Sequence, residues 1–278
     1  MVVGGLTKTI SSRQNPLVRA FRELARTPAA DGTRLLLDGV HLVRDALTAG
    51  AEFEAAAITA LHDDSQTEEA WTARALRAAG VDVAVVGEQA FAAISPARTP
   101  SGIAAIVRRT PVSVEEICRR PDALVVAAID VQDPGNLGSL IRAAEAGGAG
   151  GVLVCGASAS AFSWKTARGS MGSLLRLPVA AGLTVDEAIA AMRQARGRIV
   201  ASATRGGTTP DDVNWRGRVL LLLGGEGPGL SDATLSSADA VVTIPMSPPV
   251  ESLNVAVAGA VLVYAARRQR GLSGSRRP

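Results

Sequence analysis

The chain has 278 residues, a hydrophobic content of 47% and a net charge of +3, values typical of a globular protein with one or two domains. No apolar run reaches the ~20 residues of a membrane-spanning helix, and no apolar signal segment follows the N-terminus, so we expect a cytoplasmic protein without a membrane partner. The basic side chains are nearly all arginines, and their small excess permits binding to nucleic acid without requiring it.

Cysteine and histidine give little support for a metal site or a redox centre. Cys118 and Cys155 are far apart in sequence, and His41 and His62 stand alone. We therefore expect buried thiols in a reducing compartment. Neither a metal centre nor a Ser-His-Asp arrangement can be assembled from sequence neighbours, so no metal cofactor is predicted.

Strands alternate with helices through the first hundred residues, a pattern that predicts a compact α/β domain. Residues 10–29 contain an amphipathic helix that begins near Asn15-Pro16. Arg19, Arg22 and Arg26 share one face of it, either as a solvated surface or as an RNA-facing one. The further predicted elements are strands at 34–38, 55–59, 81–87 and 102–107, and helices at 39–49, 65–79 and 88–94.

The alternation then stops, and the charged residues that follow predict a linker at 113–122, between a first domain at 1–112 and a second at 123–271. In the second domain, residues 218–223 are almost wholly apolar, which predicts a central strand of a parallel sheet. A basic tail is expected at 272–278. The other predicted elements are strands at 123–129, 151–155, 177–180, 198–203 and 240–245, and helices at 137–146, 164–175, 184–195, around 231 and at 252–270.

Three loops rich in Gly, Pro, Asn, Ser or Glu follow three apolar strands, at 130–136, 224–229 and 245–251. Loops at the carboxyl ends of parallel strands converge, so we expect one binding site built from all three. The segment Gly225-Glu-Gly-Pro-Gly229 fits a dinucleotide-binding fingerprint only in part, because no long helix follows at once and the strand comes late in its domain. The absence of Gly-Lys-Ser and Gly-Lys-Thr from the sequence excludes a P-loop.

Three segments, in this order, resemble the three motifs of the SpoU/TrmH family of RNA ribose 2'-O-methyltransferases. They are Asn136-Leu-Gly-Ser-Leu-Ile-Arg142, Leu223-Gly-Gly-Glu226-Gly and Ile244-Pro-Met-Ser-Pro-Pro-Val-Glu-Ser-Leu-Asn254-Val-Ala-Val-Ala. The first domain is similar to that family's substrate-binding domain in Ser12-Arg13-Gln-Asn-Pro16, Leu37-Asp38-Gly39-Val40 and Thr99-Pro100-Ser-Gly102-Ile. The likeness covers nearly the whole chain, and three ordered motifs are more specific than any one of them.

The resemblance implies an α/β fold: a SPOUT methyltransferase domain with a parallel sheet and a deep trefoil knot, beside a smaller L30e-like α/β domain that binds RNA. It implies that S-adenosylmethionine binds in the knot, mainly to backbone groups, and that the protein is a homodimer built on its terminal helix. Leu253, Val257, Val261 and Tyr264 agree with this dimer, since they can share one apolar stripe. The implied cofactor-binding residues are Leu223, Gly224, Gly225, Gly227, Ile244, Met246, Ser252, Leu253 and Asn254.

The same resemblance implies five catalytic residues, Asn136, Arg142, Glu226, Ser252 and Asn254. Arg142 would contact the RNA phosphate and stabilise the alkoxide of the reacting ribose, because a guanidinium is a reluctant base. Asn136 would orient its loop and that arginine, and Glu226 would hold its motif together or help to position substrate. Ser252 and Asn254 would order the cofactor loop and the ribose. The implied RNA-binding residues are Arg13, Arg142, Lys165 and Arg168.

Each of these side chains also has an ordinary structural explanation. Asn136 and Ser252 suit helix N-caps, Glu226 a solvated loop, and Arg142 an ion pair with Glu145. Their joint occurrence in three ordered motifs favours the functional interpretation.

One departure from the family pattern lies in the cofactor loop. Pro248-Pro249 stands where many relatives have a glycine, which removes two backbone donors and stiffens the loop. The catalytic side chains themselves are present.

The leading hypothesis is therefore methylation of a ribose 2'-hydroxyl in structured RNA. Ribosomal RNA of the 23S type is the favoured substrate, because the extra N-terminal domain is commoner among ribosomal members of the family. Transfer RNA is the alternative substrate. A catalytically silent RNA-binding dimer is the alternative from another class of function.

Overall fold

The computed structural model describes residues 9–227 and 229–271. The chain divides into two compact units, the first made of 1–110 with 162–175 and the second of 111–161 with 176–278. Within the two described stretches, no helix has the length and apolar character needed to cross a membrane.

The strands are β1 (Arg34–Asp38), β2 (Glu52–Thr59), β3 (Val83–Val86), β4 (Ile103–Arg108), β5 (Leu124–Ile129), β6 (Gly151–Cys155), β7 (Val179–Leu183), β8 (Arg198–Ser202), β9 (Val219–Gly224) and β10 (Ala240–Val242). The helices are α1 (Pro16–Arg26), α2 (Val40–Thr48), α3 (Ala60–Asp63), α4 (Glu68–Ala78), α5 (Glu88–Phe91), α6 (Val114–Arg119), α7 (Pro134–Ala146), α8 (Trp164–Ser170), α9 (Ser173–Arg176), α10 (Val185–Gln194), α11 (Asp232–Ser236) and α12 (Val255–Gln269).

The first unit is built on a four-stranded sheet in the order β1-β4-β2-β3. Strands β2 and β3 are parallel, whereas β4 runs antiparallel to both of its neighbours. Val18 and Phe21 of α1 and Phe91 of α5 are fully buried in one core cluster of this unit. Trp164 of α8 packs against the same cluster. This contact explains why residues 162–175 belong to the first unit, although the sequence predicted them within the second domain.

The second unit has three layers around a six-stranded sheet in the order β10-β8-β9-β5-β6-β7. All neighbouring strands are parallel, as predicted. Val125, Ala127, Leu220 and Leu222 face the core that α6 and α10 cover. Side chains alternate along a strand, so the intervening residues of β5 and β9 face the opposite layer, where α7 and α12 pack.

Two glycines allow α7 and α12 to approach each other closely. A Cβ at Gly259 of α12 would overlap the side chain of Leu140 in α7, and one at Gly147 would overlap that of Val263. Helices can come this near only where side chains are small. The contact therefore fixes the helix of the first motif beside the helix of the third.

Two segments differ from the sequence-based prediction, and a third cannot be compared. Residues 113–122, expected to be a linker, contain α6, whose Ile117 and Cys118 are buried in the core of the second unit. The three apolar residues of this charged segment, Val114, Ile117 and Cys118, span little more than one helical turn, which is too short a run to reveal a helix. The helix expected at 164–175 is interrupted at Met171, which has φ +47°. The predicted basic tail lies outside the described residues.

Both cysteines are fully buried, Cys118 in α6 and Cys155 at the end of β6. Burial raises the pKa of the Cys118 thiol to about 11, and Glu115 adds to the shift. Burial likewise raises the pKa of the Cys155 thiol to about 12, with further contributions from Glu187 and Asp130. The thiolate is the reactive form of cysteine, so both side chains should be inert near neutral pH.

We expect the folded protein to resist an aromatic disulfide reagent at about pH 8, whereas both thiols should react after unfolding. The pKa of each thiol is higher in the folded protein than the unfolded value of 9.0, so protonation of the thiols favours the folded state. This contribution to stability is complete below about pH 9. That stabilisation is lost as the pH rises toward the folded values, so the free energy of unfolding should fall above about pH 9. Absorbance of the released thiol follows the reaction, with a Cys118→Ala, Cys155→Ala double variant as blank. Rapid labelling of the folded protein would contradict this expectation.

Candidate functional site

Three side chains from three separate loops form a hydrogen-bonded chain at the carboxyl edge of the second unit's sheet. Asn254 donates from Nδ2 to Asn136 Oδ1 at 2.9 Å, and Asn136 donates from Nδ2 to the Glu226 carboxylate. Asn136 lies in the first turn of α7, Glu226 follows β9, and Asn254 precedes α12. Asn136 and Glu226 lie in two of the three loops that the sequence predicted to converge, and Asn254 lies just beyond the third, at a position predicted to be helical. We refer to the three side chains as the amide bridge.

Helix capping fixes the direction of both amide groups in the amide bridge. Asn254 Oδ1 accepts from the backbone N–H groups of Ala256 and Val257 at the start of α12, which leaves its Nδ2 to face Asn136. Asn136 must then present its oxygen to Asn254 and its nitrogen to Glu226. An ionised carboxylate can only accept, so the whole chain of bonds has one consistent polarity.

Capping also corrects two expectations about these helices. Asp133 is the N-cap of α7, and its Oδ1 accepts from the backbone N–H of Asn136 at 2.7 Å. Asn136, the expected N-cap, is the third residue of the helix, which leaves its amide free to bridge. Helix α12 begins at Val255 and not at Ser252, because Asn254 takes the N-cap position.

Gly225 brings the loop after β9 against the loop after β5. Its N–H donates to the carbonyl oxygen of Ile129 at 2.7 Å, and an added Cβ would overlap the backbone carbonyl of Asp130. Gly227 has φ +112°, a conformation that residues with a side chain rarely adopt. Any larger residue at Gly225 would push the two loops apart and stretch the amide bridge.

A cavity of about 580 Å³ opens beside the amide bridge, at the carboxyl ends of β8, β9 and β10. Small-molecule sites usually have volumes of ~300–1,000 Å³. Glu226 and Asn254 belong both to the bridge and to the lining of the cavity. All nine residues predicted to bind the cofactor line it, namely Leu223, Gly224, Gly225, Gly227, Ile244, Met246, Ser252, Leu253 and Asn254.

One wall of this cavity was not predicted from the sequence. Residues 202–205, which follow β8, line it, as do Ala258 and Leu262 of α12. The signal for 202–205 was available, because the carboxyl end of a parallel strand next to β9 must face the same edge of the sheet. Ala258 and Leu262 carry no such signal, since they are ordinary apolar positions of an amphipathic helix.

Comparisons with known proteins identify the family. A family model described as the SpoU rRNA Methylase family matches residues 123–264, and a model described as the MRM3-like substrate binding domain matches residues 8–105. The chain belongs to the SpoU rRNA methylase family.

Similar proteins match almost the whole SpoU chain. An uncharacterised tRNA/rRNA methyltransferase of Synechocystis is 31% identical over 94% of each chain. The 23S rRNA (guanosine(2553)-2'-O)-methyltransferase RlmP of Bacillus subtilis is 30% identical over 92% of this chain and 98% of its own. An AdoMet-bound rRNA methyltransferase from Sinorhizobium meliloti has a TM-score of 0.81 at 28% identity, covering 97% of this chain and 100% of its own.

A second solved structure supports the same conclusion. The SpoU methyltransferase AviRb from Streptomyces viridochromogenes, in complex with AdoMet, has a TM-score of 0.79 at 28% identity and covers 94% of this chain and 100% of its own. The predicted family, the enzyme class and the cofactor are thereby confirmed. This SpoU protein is an S-adenosylmethionine-dependent RNA methyltransferase.

Arg142 of the SpoU chain stands exposed on α7 and does not line the cavity. Glu145, the ion-pair partner considered from the sequence, instead accepts two hydrogen bonds from Arg176, at 2.7 and 2.9 Å. Within residues 9–227 and 229–271, the Arg142 guanidinium has no hydrogen bond or ion pair. It is therefore available to an anionic ligand.

The other predicted RNA-binding residues, Arg13, Lys165 and Arg168, belong to the first unit. All three are exposed. Arg13 Nε donates to the carbonyl oxygen of Gln89 at 3.0 Å, and the Lys165 ammonium lies 5.7 Å from the centre of the Trp164 ring. Their contact with RNA remains a prediction.

The third motif contributes to the cavity on both sides of its proline pair. Ser252 lines the cavity, and its hydroxyl has no hydrogen-bond partner among the residues that the structure describes. Pro248 and Pro249, joined by a cis peptide bond, are exposed and lie outside the lining. The backbone N–H groups that the two prolines lack would therefore not have been part of the cavity wall.

Replacing Asn136 tests whether the amide bridge holds the cavity together. We expect Asn136→Ala to weaken S-adenosylmethionine binding about tenfold, because the exposed side chains of Glu226 and Asn254 each lose a hydrogen bond worth ~0.5–1.5 kcal/mol. Isothermal titration calorimetry measures this affinity. Asn214→Ala is the matched control, because the Asn214 oxygen accepts a backbone bond from Arg216 at the other edge of the same sheet.

A double-mutant cycle separates the bridge from a general loss of stability. Asn136→Ala and Glu226→Gln should be non-additive, with a coupling of ~0.5–3 kcal/mol in cofactor binding. Strictly additive effects would mean that the two side chains act independently and that the bridge has no role in shaping the cavity.

Proposed function

We propose that this enzyme transfers the methyl group of S-adenosylmethionine to a ribose 2'-hydroxyl in structured RNA, with ribosomal RNA as its substrate. The observation that carries the proposal is the amide bridge, which joins the three family motifs beside one cavity. The likeness to RlmP, a 23S rRNA 2'-O-methyltransferase by name, supports both the reaction and the substrate class. We infer that the enzyme acts in the cytoplasm, where such RNA is assembled.

The cavity lining fits S-adenosylmethionine. Leu223, Ile244 and Leu253 offer apolar surface to a flat base, while Gly224 and Gly227 expose backbone without side chains. These residues would hold the cofactor chiefly through N–H and C=O groups. The cofactor supplies an electrophilic methyl group, and the rest of the chemistry belongs to the protein.

The protein must promote attack by a weak nucleophile. A ribose hydroxyl loses its proton as it attacks, and negative charge develops on its oxygen. The unpaired Arg142 guanidinium would stabilise that charge and bind the neighbouring phosphate, as a permanent cation with several donors. The Glu226 carboxylate is held by Asn136 and would keep its loop in place around the cavity.

The terminal helix supports a homodimer. Leu253, Val257, Val261 and Tyr264 are 37%, 50%, 41% and 47% exposed, although three of them are strongly apolar. Val257, Val261 and Tyr264, spaced four and three residues apart, share one face of α12, and Leu253 lies just before the helix. A patch of this kind is costly to leave in water, and a second copy of the chain would cover it.

The path of the chain supports a trefoil knot in the second unit. After the edge strand β10, the chain returns across the sheet to α12, which packs against the central strands β5 and β9. We propose that this return passes through a preceding loop, as in the knotted members of the family.

Methyl transfer by purified protein tests the proposed function. We expect labelled methyl groups from S-adenosylmethionine to enter a transcript of 23S rRNA at one ribose, detected as protection of the neighbouring bond from alkaline hydrolysis. Arg142→Ala should lower kcat by ~10²–10³-fold, by analogy with the removal of a charge-stabilising donor, and should leave cofactor affinity unchanged. Arg74→Ala, an exposed arginine on α4, is the control.

Three results would revise the proposal. Absence of cofactor binding at ~1 mM, the upper end of ordinary enzyme affinities, would refute the enzymatic function. Methylation of transfer RNA transcripts alone would replace the substrate class. Loss of cofactor binding in Arg142→Ala would move that residue from the RNA to the cofactor site.

A charge within the apolar stripe of α12 tests the dimer. We expect the wild type to be a dimer by light scattering after gel filtration, and Val261→Glu to be a monomer, because burying an unpaired carboxylate is prohibitive. Leu61→Glu alters an apolar side chain that is 66% exposed in the first unit and should remain dimeric. A dimeric Val261→Glu variant would place the interface elsewhere.

A further inference from the structure

Arginines gather at the amino edge of the second unit's sheet, opposite the edge that bears the cavity. The turns that enter the three adjacent strands β5, β8 and β9 carry two arginines each, and the end of α12 adds one more. These seven residues, here named the arginine edge, are Arg119, Arg120, Arg196, Arg198, Arg216, Arg218 and Arg270.

Backbone carbonyls, and not carboxylates, accept the hydrogen bonds of the bonded members of the arginine edge. Arg218 donates to the carbonyl oxygens of Arg119, Arg120 and Ala195 at 3.1, 3.2 and 3.3 Å. Arg270 donates to the carbonyl of Gly217 at 2.7 Å and also to that of Asp122. A carbonyl is neutral, so these bonds position the guanidinium groups without cancelling their charge.

The remaining charge is only partly compensated: the Arg198 charge helps to lower the pKa of Asp239, whose closest partner is Arg193, and Asp122 acts on Arg270. Across the described residues, no ion pair involves any member of the arginine edge. Asp122 is the one acidic residue within the segments 119–122, 195–198 and 214–218. Burial lowers the pKa of the Arg270 guanidinium, Asp122 raises it, and the Arg198 charge lowers it again. The charges therefore lie close enough to repel one another.

Three members of the arginine edge have side chains that form no hydrogen bond or ion pair among the described residues. Arg119, Arg196 and Arg216 are exposed, and their side chains make no hydrogen bond to any part of the chain that the structure describes. Their backbone positions are nonetheless fixed. The fully buried Trp215, next to Arg216, donates from its backbone N–H to Gln269 Oε1 at 2.7 Å and from Nε1 to the Pro210 carbonyl at 2.8 Å.

We propose that the arginine edge is an RNA-contact surface, which binds phosphates of the substrate at a distance from the methylated ribose. Like charges held together without carboxylates favour a polyanionic partner, and guanidinium groups match phosphate oxygens in a two-point geometry. The proposal rests on the proposed function, since it takes the RNA substrate from there. Strands of five or six residues separate the two edges by roughly 20 Å, a span that a folded ribosomal RNA segment easily covers.

Removing the three free arginines tests the surface without touching the cofactor site. The combined variant Arg119→Gln, Arg196→Gln, Arg216→Gln should bind a 23S rRNA transcript about tenfold more weakly in a filter-binding assay at moderate salt. The slope of log affinity against log salt should shrink by about 2, at ~0.7 for each lost phosphate contact. The KM for RNA should rise, while kcat and cofactor affinity stay at wild-type values.

Single variants give the matched control. Arg216→Gln should shift the salt slope, whereas Arg74→Gln, which removes one exposed charge from the first unit, should not. Wild-type RNA affinity and slope in the combined variant would overturn the proposal, as would an equal effect of Arg74→Gln. A large fall in melting temperature would also overturn it, by showing that the three arginines stabilise the fold. Failure of the wild type to transfer methyl groups would instead refute the proposed function, because the binding assay requires no catalysis.

Discussion

A side-chain amide can accept a hydrogen bond with its oxygen while it donates another from its nitrogen, and Asn136 uses both groups to hold three loops together. No isosteric residue can replace it. Aspartate would lack the donor and would repel Glu226, whereas leucine would remove the hydrogen bonds to the Glu226 carboxylate and to Asn254 Nδ2. The two residues that Asn136 joins, Glu226 and Asn254, both line the cavity.

The amide bridge can form only because the backbone has already brought the loops within reach. Parallel strands β5 and β9 are neighbours, so the loops that follow them leave the sheet side by side. Gly225 then removes the side chain that would hold those loops apart. Helix α12 supplies the third partner, since its close packing on α7 sets Asn254 opposite Asn136. The parallel topology thus brings the loops together, Gly225 allows them to touch, and the Asn136 amide then joins them. Each feature depends on the one before it.

Much of this arrangement could be predicted from the sequence, and the reason is physical. Apolar runs such as Gly151–Cys155 predict strands directly, and the loops that follow parallel strands lie at the same edge of the sheet. The hydrogen bonds of Asn136 could not be predicted, because its residue type suits a helix cap equally well. The packing of Trp164 against the core of the first unit could not be predicted either, because an apolar side chain does not show which core it joins. Helix α6 was missed for a related reason, its buried face being only Ile117 and Cys118.

Helix ends of opposite partial charge lie at the two edges of the second unit's sheet. At the carboxyl edge, the start of α12 presents backbone N–H groups, and Asn254 satisfies two of them with a neutral oxygen. At the amino edge, α6 and α10 end, and their last carbonyls carry partial negative charge. Arg218 donates to the ends of both helices, which lowers the cost of placing cations there. The partial negative charge of the helix ends can stabilise the layer of guanidinium groups in contact with them, but it cannot neutralise the positive charge of those groups. The exposed arginines beyond that layer, Arg119, Arg196 and Arg216, form no ion pair among the described residues, which is the basis of the proposed RNA contact.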